Sequence, residues 1–325
     1  MGEMLYSEAI NSALREEMER DERVFLMGQD IGVYGGVRGI TMGLFDKFGP
    51  ERVRDTPISE TAIMGAGAGA ALRGMRPVIE IMYADFLYIC FDELASIAAK
   101  WRYVNGPQFS VPLTIRAPMG GYSAGGPLHS QCPLAPVLHV PGIKIAVPST
   151  PADAKGLLKT AIRDNNPVVY FEHRGLYGTK GEVPDGDFTI PFGTADVKKQ
   201  GKDVTIVAIS LMVQFSLKVA AELEKEGISV EVIDPRTLEP LDIDSIIDSV
   251  KKTGRVVLVD EDTLRAGSTA EIGMQIIEKA FSWLKAPIQR VGAANVPIPF
   301  APSLVNAVLP SLESIKKAVK KVLMK

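Results

Sequence analysis

The sequence is poor in the residues that mark several common classes of protein. Its two cysteines, Cys90 and Cys132, form no Cys-x-x-Cys pair, which argues against a disulfide framework and a cysteine-ligated metal. No apolar run reaches the ~18 residues of a membrane span. The amino-terminal helical pattern, 6–21, is rich in glutamate, unlike a signal or transit peptide. These absences predict a cytoplasmic protein that does not bind membranes.

Positive charge is also scarce. The net charge is −3 and the sequence pI is about 5.8, so nothing favours binding to nucleic acid. The four lysines between 316 and 321 recur at helical spacing beside apolar residues, as on the solvated face of a terminal amphipathic helix. With 325 residues, 46% of them hydrophobic, the chain is long enough for two domains.

The alternation of strand and helix patterns predicts an α/β protein. Short apolar runs separated by helical periodicity continue through the chain, and the second half reads as βαβαβαβ. The periodicity fails near 175–194, where Gly, Pro and Asp accumulate. We therefore predict two domains, 1–178 and 195–325, joined by a linker at 179–194. Each is expected to be a mostly parallel sheet flanked by helices.

Two familiar sequence motifs lack the secondary-structure context that each requires. The run Gly65–Ala70 resembles a dinucleotide-binding fingerprint, but the residues before it look like a helix start rather than a strand. Small residues that let a helix pack closely are the better interpretation. The run Gly121–Gly125 has the letters of a Gly-x-Ser-x-Gly elbow, but it lies in a glycine-rich loop rather than at a strand-to-helix turn, so a Ser-His-Asp hydrolase is disfavoured.

Three residues are candidates for a site. Glu60 opens the Gly/Ala-rich helix pattern and is either an ordinary first-turn acid or a buried acid that shares a proton with a ligand nitrogen. On the residues alone the two interpretations are equal. His129 follows a glycine-rich loop, 120–126, which favours an acid–base role over a structural hydrogen bond. Phe86 follows a predicted strand, where ligands meet open α/β sheets, although it could be plain core.

Several ordered motifs are similar to those of one enzyme family and cover nearly the whole chain. They are Arg52–Glu60, Gly74–Val78, His129–Gln131, Pro141–Lys144, Asp153–Leu158, Gly181–Pro184, Asp203–Val207 and Val232–Thr237. The chain resembles the β subunit of the thiamine diphosphate-dependent first component of 2-oxo acid dehydrogenase complexes, which act on pyruvate, acetoin or branched-chain substrates. The resemblance implies a transketolase-like pyrimidine-binding domain followed by a transketolase C-terminal-like domain.

The resemblance also implies roles for particular residues. Glu60 would hydrogen-bond the pyrimidine ring nitrogen of thiamine diphosphate, Phe86 would stack on the ring, and Ile58 and Met82 would be apolar walls. His129 would face the channel that admits the lipoyl arm and assist reductive acyl transfer. Some members also hold potassium, and the corresponding groups would be those of Leu113, Ala161, Ile162, Asp164 and Asn166.

Half of the expected site is missing from this sequence. The diphosphate–magnesium motif of thiamine enzymes is Gly-Asp-Gly followed by Asn-Asn about thirty residues later, and in the family the α subunit supplies it. Here Gly186-Asp187-Phe188 breaks the pattern, and Asn165-Asn166 precedes it. The resemblance therefore implies magnesium held mainly by an α subunit, a heterotetramer of two α and two β subunits, and a dihydrolipoyl acyltransferase core as the next partner.

The substrate is left open between pyruvate, acetoin and branched-chain 2-oxo acids. The segments Cys90–Leu94, Ile115–Pro118 and Asp234–Thr237 look most like acetoin dehydrogenase β subunits. Two segments depart from the family pattern: Pro127-Leu128 before the histidine, and Asp260–Asp262, which we expect to bear on assembly. The alternatives are a split transketolase acting on sugar phosphates, a non-catalytic scaffold and, third, an NAD-binding protein.

Overall fold

The computed structural model describes residues 2–324, which divide into two compact units. The strands are β1 (Gly2–Leu5), β2 (Val24–Gly28), β3 (Val53–Asp55), β4 (Arg76–Glu80), β5 (Thr114–Met119), β6 (Lys144–Ala146), β7 (Val168–His173), β8 (Lys180–Val183), β9 (Asp196–Lys199), β10 (Val204–Ala208), β11 (Val230–Asp234), β12 (Thr237–Glu239), β13 (Val256–Thr263) and β14 (Gln289–Ala293).

The α-helices lie between the strands and after the last of them. They are α1 (Tyr6–Arg20), α2 (Leu44–Phe48), α3 (Glu60–Leu72), α4 (Trp101–Asn105), α5 (Leu134–Leu138), α6 (Pro151–Arg163), α7 (Leu211–Glu224), α8 (Ile243–Thr253), α9 (Ser268–Ala280), α10 (Pro302–Val308) and α11 (Leu312–Leu323). Short 3-10 turns are Ala84–Tyr88, Arg174–Leu176 and Phe281–Trp283, and a π-helical turn is Glu93–Ala98.

The first unit contains the residues up to 119 and 136–192. Its strands lie in the order β6-β7-β5-β4-β2-β3, and each of these neighbouring pairs is parallel. Gly28 at the end of β2 pairs with both Asp55 and Glu80, so the carboxyl ends of three adjacent strands lie level. This edge is where open parallel sheets bind ligands.

The second unit contains 120–135 and the residues from 193 onward. Its sheet has the order β14-β13-β10-β11-β9, in which only β9 is antiparallel to its neighbour. Every residue of β10 and β11 is buried, as expected for strands covered on both faces. The predicted fold class, two mostly parallel sheets flanked by helices, is confirmed, although the sequence did not indicate the antiparallel edge strand.

The structure differs from the predicted domain limits in two places. The loop 120–135, inside the predicted first domain, groups with the second unit, where Gly121 and Ala135 hydrogen-bond to Glu261 and Asp262. The predicted linker, 179–194, is partly folded: β8 pairs antiparallel with β1 in the first unit. A chain segment with poor periodicity can still add a strand, because two-residue alternation is weak over four residues.

Local sequence signals account for the helices near the carboxyl edge. A Cβ atom at Gly67 would lie 2.9 Å from Ile79 Cγ2 and 3.1 Å from Leu113 Cδ1, so α3 needs a small residue there to pack on β4 and β5. Close packing is therefore the correct interpretation of the Gly/Ala run. A π-helical turn precedes α4, because Ala99 N–H donates to the Leu94 carbonyl, five residues back.

None of the helices within residues 2–324 is both long and apolar enough to cross a membrane.

Candidate active site

The carboxyl edge of β2, β3 and β4 brings together four of the predicted site residues. Ile58 and Glu60 follow β3, and Met82 and Phe86 follow β4, which lies on the other side of β2. The first turn of α3 is joined to the turn after Phe86, since Thr61 Oγ1 donates to the Ile89 carbonyl at 3.1 Å. Residues separated in sequence thus meet at one end of the sheet.

Glu60 is the first residue of α3 and is only 5% exposed. Its Oε1 accepts a hydrogen bond from Nε2 of Gln29 at 3.1 Å, and Gln29, directly after β2, is also 5% exposed. A solvated first-turn acid would not need a buried amide donor, so the structure favours the buried-acid interpretation. Our sequence reasoning missed Gln29, although a polar residue that immediately follows a buried strand is a usable signal.

The other predicted site residues at this edge are apolar or aromatic. Phe86 is half-buried and meets Tyr83 edge-on, with ring centroids 5.6 Å apart. Met82 lines a small cavity with Tyr83, and Ile58 is 84% exposed at the rim. Burial raises the pKa of Cys90 to about 12, with the charges of Glu93 and Glu60 adding to the effect. The raised pKa disfavours the thiolate form of Cys90 and with it a role as a nucleophile.

A buried ionic network lies on the strands next to this edge. The guanidinium of Arg116, in β5, donates to Glu80 Oε2 at 2.5 Å and to both carboxylate oxygens of Glu172 at 2.5 and 3.0 Å. Tyr177 also donates its hydroxyl to Glu172, at 2.9 Å. Burial raises the pKa of Glu80, and Arg116 opposes this shift. Two carboxylates share one cation here, so Arg116 is the residue that makes the pair tolerable.

His129 lies on the other unit, in the loop 120–135. It is half-buried, and its backbone N–H donates to the Gly126 carbonyl at 3.4 Å. A Cβ atom at Gly125 would lie 2.9 Å from the His129 carbonyl oxygen, so the glycine lets the loop fold back on the histidine. The glycine-rich sequence thus shapes the turn that carries this side chain. Its role in proton transfer stays a prediction.

Two of the predicted potassium ligands, Ile162 and Asp164, already accept hydrogen bonds from cationic side chains. Arg76 Nη1 donates to the carbonyls of Ile162 and Asp164, each at 2.9 Å. The Asp164 carboxylate accepts from Lys144, and hydrogen bonds from Lys144 and Asn166 outweigh burial to lower its pKa. Two cationic side chains, Arg76 and Lys144, therefore already bind groups of Ile162 and Asp164, and potassium binding stays a prediction.

Asp187, in the broken diphosphate motif, has a structural role. It pairs with Arg163 at 2.6 Å and with Lys159 at 2.5 Å, both on α6. Hydrogen bonds from these two cations hold the pKa of the Asp187 carboxyl well below its usual range. This carboxylate therefore attaches the 179–194 segment to α6.

Both halves of the chain match known domain families. Residues 2–180 match the model of the transketolase pyrimidine binding domain, and residues 193–315 match that of the transketolase C-terminal domain. An acetoin:2,6-dichlorophenolindophenol oxidoreductase β subunit from Cupriavidus necator is 46% identical over 323 residues, covering 96% of this chain and 95% of that relative. This chain belongs to the family of dehydrogenase β subunits that combine these two domains.

Other members of this β-subunit family are equally similar. A 2-oxoisovalerate dehydrogenase β subunit from Bacillus subtilis is 46% identical and is covered over 98% of both chains. A mitochondrial pyruvate dehydrogenase β subunit from Oryza sativa is also 46% identical, over 98% of this chain and 86% of that relative. Identity is therefore the same for three substrate names, and it does not choose among them.

A solved structure shares the fold of this β-subunit family over its full length. It is described as a split gene transketolase in an inactive β4 tetramer, with 26% identity, a TM-score of 0.81 and coverage of 99% of both chains. The lower identity places that transketolase further from this chain than the dehydrogenase relatives.

The residues at the carboxyl edge fit the pyrimidine half of thiamine diphosphate, the cofactor of this family. A ring that carries nitrogen would need an acid partner and apolar faces, and Glu60, Met82 and Phe86 follow β3 and β4, the strands on either side of β2. Thr56 Oγ1, four residues before Glu60, is buried and has no hydrogen-bond partner among residues 2–324, which leaves a polar atom for a ligand or a neighbouring chain.

Proposed function

We propose that this chain is the β subunit of a thiamine diphosphate-dependent dehydrogenase that acts on a 2-oxo acid or acetoin together with an α subunit. The complete enzyme decarboxylates or cleaves its substrate and passes the acyl group to a lipoyl group on a partner acyltransferase. The observation that carries the proposal is the buried Glu60–Gln29 pair at the carboxyl edge, in a chain that matches such β subunits from end to end.

The residues of this chain have distinct tasks in the proposed enzyme. Thiamine diphosphate supplies, when bound, the nucleophilic carbon that attacks a substrate carbonyl. Glu60 holds a proton against the pyrimidine nitrogen, while Gln29 keeps one carboxylate oxygen engaged so that the other can face the ring. Phe86 and Met82 exclude water from the ring faces. His129 assists transfer of the acyl group to the lipoyl arm.

The α subunit completes the site in this proposal. It supplies the magnesium and diphosphate ligands, because Asp187, in the nearest matching segment, is bound to two cations. The assembly is a heterotetramer of two α and two β subunits bound to a dihydrolipoyl acyltransferase core. The similar split transketolase, described as an inactive β4 tetramer, supports a requirement for a second chain. Potassium is left out, because Arg76 already donates to two of its predicted ligand groups.

Dye-linked oxidation tests the proposal. The chain, alone and mixed with its candidate α subunit, would receive thiamine diphosphate, magnesium and in turn pyruvate, branched-chain 2-oxo acids and acetoin. We expect the mixture to exceed either subunit by at least about 100-fold, since general acid–base catalysis alone contributes on that scale. The preferred substrate would name the enzyme.

Other outcomes of this assay would contradict the proposal or support one of the alternative functions. Robust turnover by this chain alone would contradict the half-site proposal. Activity on sugar phosphates with the verified partner would support the split-transketolase alternative, which the fold similarity also allows. No detectable activity with any of these substrates, in a mixture that forms the complex, would support a non-catalytic scaffold function.

Gln29 should matter for turnover more than an ordinary amide donor does. Replacing it by leucine removes the buried hydrogen bond to Glu60 and leaves the carboxylate free to turn away from the ring. We expect Gln29→Leu to lower kcat of the complete enzyme about tenfold, the scale of one buried hydrogen bond to a charged group. Steady-state kinetics at saturating substrate would measure this change.

Gln275 provides the matched control for that experiment. It donates to Glu271 at 2.8 Å across one turn of α9, so Gln275→Leu also removes an amide–carboxylate hydrogen bond but at an exposed site. We expect it to leave kcat unchanged. Equal effects of the two leucine variants would show that Gln29 does not position Glu60.

A further inference from the structure

The loop that carries His129 is fastened at both of its ends. The histidine loop, residues 120–135, leaves and returns beside the end of β13, where three acids stand in succession: Asp260, Glu261 and Asp262. We call these three residues the acid turn. A bearing of this segment on assembly stays a prediction; within the second unit, Glu261 and Asp262 contact the histidine loop.

The first fastening is at the start of the histidine loop. Glu261 Oε1 accepts the backbone N–H of Gly121 at 2.5 Å, and Glu261 is 5% exposed. A Cβ atom at Gly121 would lie 2.9 Å from Leu309 Cδ1 and 3.2 Å from the Ser130 carbonyl oxygen. The glycine allows the chain to approach the carboxylate closely, and a charge-assisted hydrogen bond of this kind is among the strong ones.

The second fastening is at the end of the same loop. Asp262 Oδ2 accepts the backbone N–H of Ala135 at 3.2 Å, while its Oδ1 accepts from Thr263 at 2.7 Å. Between the two fastenings, Gly120 N–H donates to the Gln131 carbonyl at 3.5 Å. Neighbouring residues of the acid turn therefore hold two points on the loop that flank the histidine.

Asp260 holds the acid turn itself. Its Oδ2 accepts from the Ser268 hydroxyl at the start of α9, and its Oδ1 accepts the backbone N–H of Asp262 at 3.2 Å. Burial raises the pKa of Asp262 to about 7, and the charge of Asp260 adds to this shift. Asp260 and Glu261 are buried beside the half-buried Asp262, which is electrostatically unfavourable, so the hydrogen bonds that Glu261 and Asp262 accept from the loop backbone offset part of this cost.

We propose that Glu261 and Asp262 are positioning residues for His129, because they hold the two ends of the histidine loop through its backbone. The proposal rests on the proposed function for the role of His129 in acyl transfer. The fastening itself is a property of the second unit and can be measured without turnover. Neither acid needs to touch the substrate for this role.

Two pairs of variants separate the hydrogen bond from the charge. Glu261→Ala and Asp262→Ala remove the acceptors, whereas Glu261→Gln and Asp262→Asn keep an acceptor oxygen and remove only the charge. Hydrogen exchange of the 120–135 segment would be followed in the full-length chain. We expect exchange to be about tenfold faster in each alanine variant and within about twofold of the parent in each amide variant.

Kinetics of the complete enzyme test the link to His129. Glu261→Ala should lower the kcat of lipoyl transfer about tenfold with little change in KM, and Glu261→Gln should restore it. In a His129→Ala background, Glu261→Ala should lower kcat no further, because the two act as a unit. Glu278→Ala, on an exposed part of α9, is the control and should leave both measurements unchanged.

The results of these experiments test the attachment of the loop and the positioning of His129 separately. Unchanged hydrogen exchange of the loop in both alanine variants would overturn the proposal. If Glu261→Ala fails to fold, the comparison of Asp262→Ala with Asp262→Asn provides the same test. Faster exchange with a loss of kcat that is additive to His129→Ala would overturn the positioning role while leaving the fastening. If the parent enzyme lacks dehydrogenase activity, the proposed function fails, and the exchange data still decide whether the acid turn holds the loop.

Discussion

Replacing Glu60 by glutamine should lower kcat of the complete enzyme by about 10²–10⁴-fold, the range that general acid–base catalysis supplies. The amide keeps the shape of the side chain and can still accept the hydrogen bond from Gln29, so α3 should begin at the same place. The variant loses only the ability to exchange a proton with the pyrimidine nitrogen. Dye-linked oxidation with the preferred substrate would measure the loss.

Glu313 provides the control for the simpler interpretation of Glu60. It is also an acid in the first turn of a helix, α11, but its side chain is exposed. If Glu60 acted only on the helix dipole, both glutamine variants would cost about 1 kcal/mol or less in the free energy of unfolding and leave kcat alone. We expect Glu313→Gln to behave in this way. Full activity of Glu60→Gln in a verified complex would instead favour the scaffold interpretation.

The sequence predicted the fold well because its strands and helices have strong local signals. The strands of the second unit are continuous apolar runs, and α6 begins with Thr150 as a cap whose hydroxyl accepts from Asp153 N–H at 3.1 Å. The edge strand β9 and the short β8 were missed, since their pairing is decided by distant partners rather than by local periodicity.

The candidate site was only partly predictable. Glu60 and Phe86 stand at strand or helix ends where a sequence pattern points to ligands, and the structure places them on one edge. Gln29 and the acid turn gain their meaning from contacts over 31 and 140 residues of sequence, which no spacing rule encodes. Arg116, a charged residue within the buried strand β5, likewise contacts residues that are distant in sequence.

Replacing Arg116 by methionine should destabilise the chain by about 3–5 kcal/mol, the typical cost of removing one partner from a buried ion pair. Methionine fills much of the volume, but Glu80 and Glu172 would remain buried with no guanidinium between them. Urea-induced unfolding of the full-length chain would measure the loss. Arg54, which pairs with Glu51 at 2.8 Å on an exposed surface, provides the control: Arg54→Met should cost about 1 kcal/mol or less.

The dependence of that loss on pH separates lost charge pairing from lost packing. Burial already holds the pKa of Glu80 above its usual value, and removing Arg116 takes away the cation that opposes the shift. A carboxyl whose pKa is raised in the folded state contributes stability at low pH, and this contribution is lost as the pH rises through the folded pKa. The deficit of Arg116→Met should therefore be smaller at pH 5 than at pH 8. A deficit that is the same at both pH values would mean that Arg116 acts through packing rather than charge.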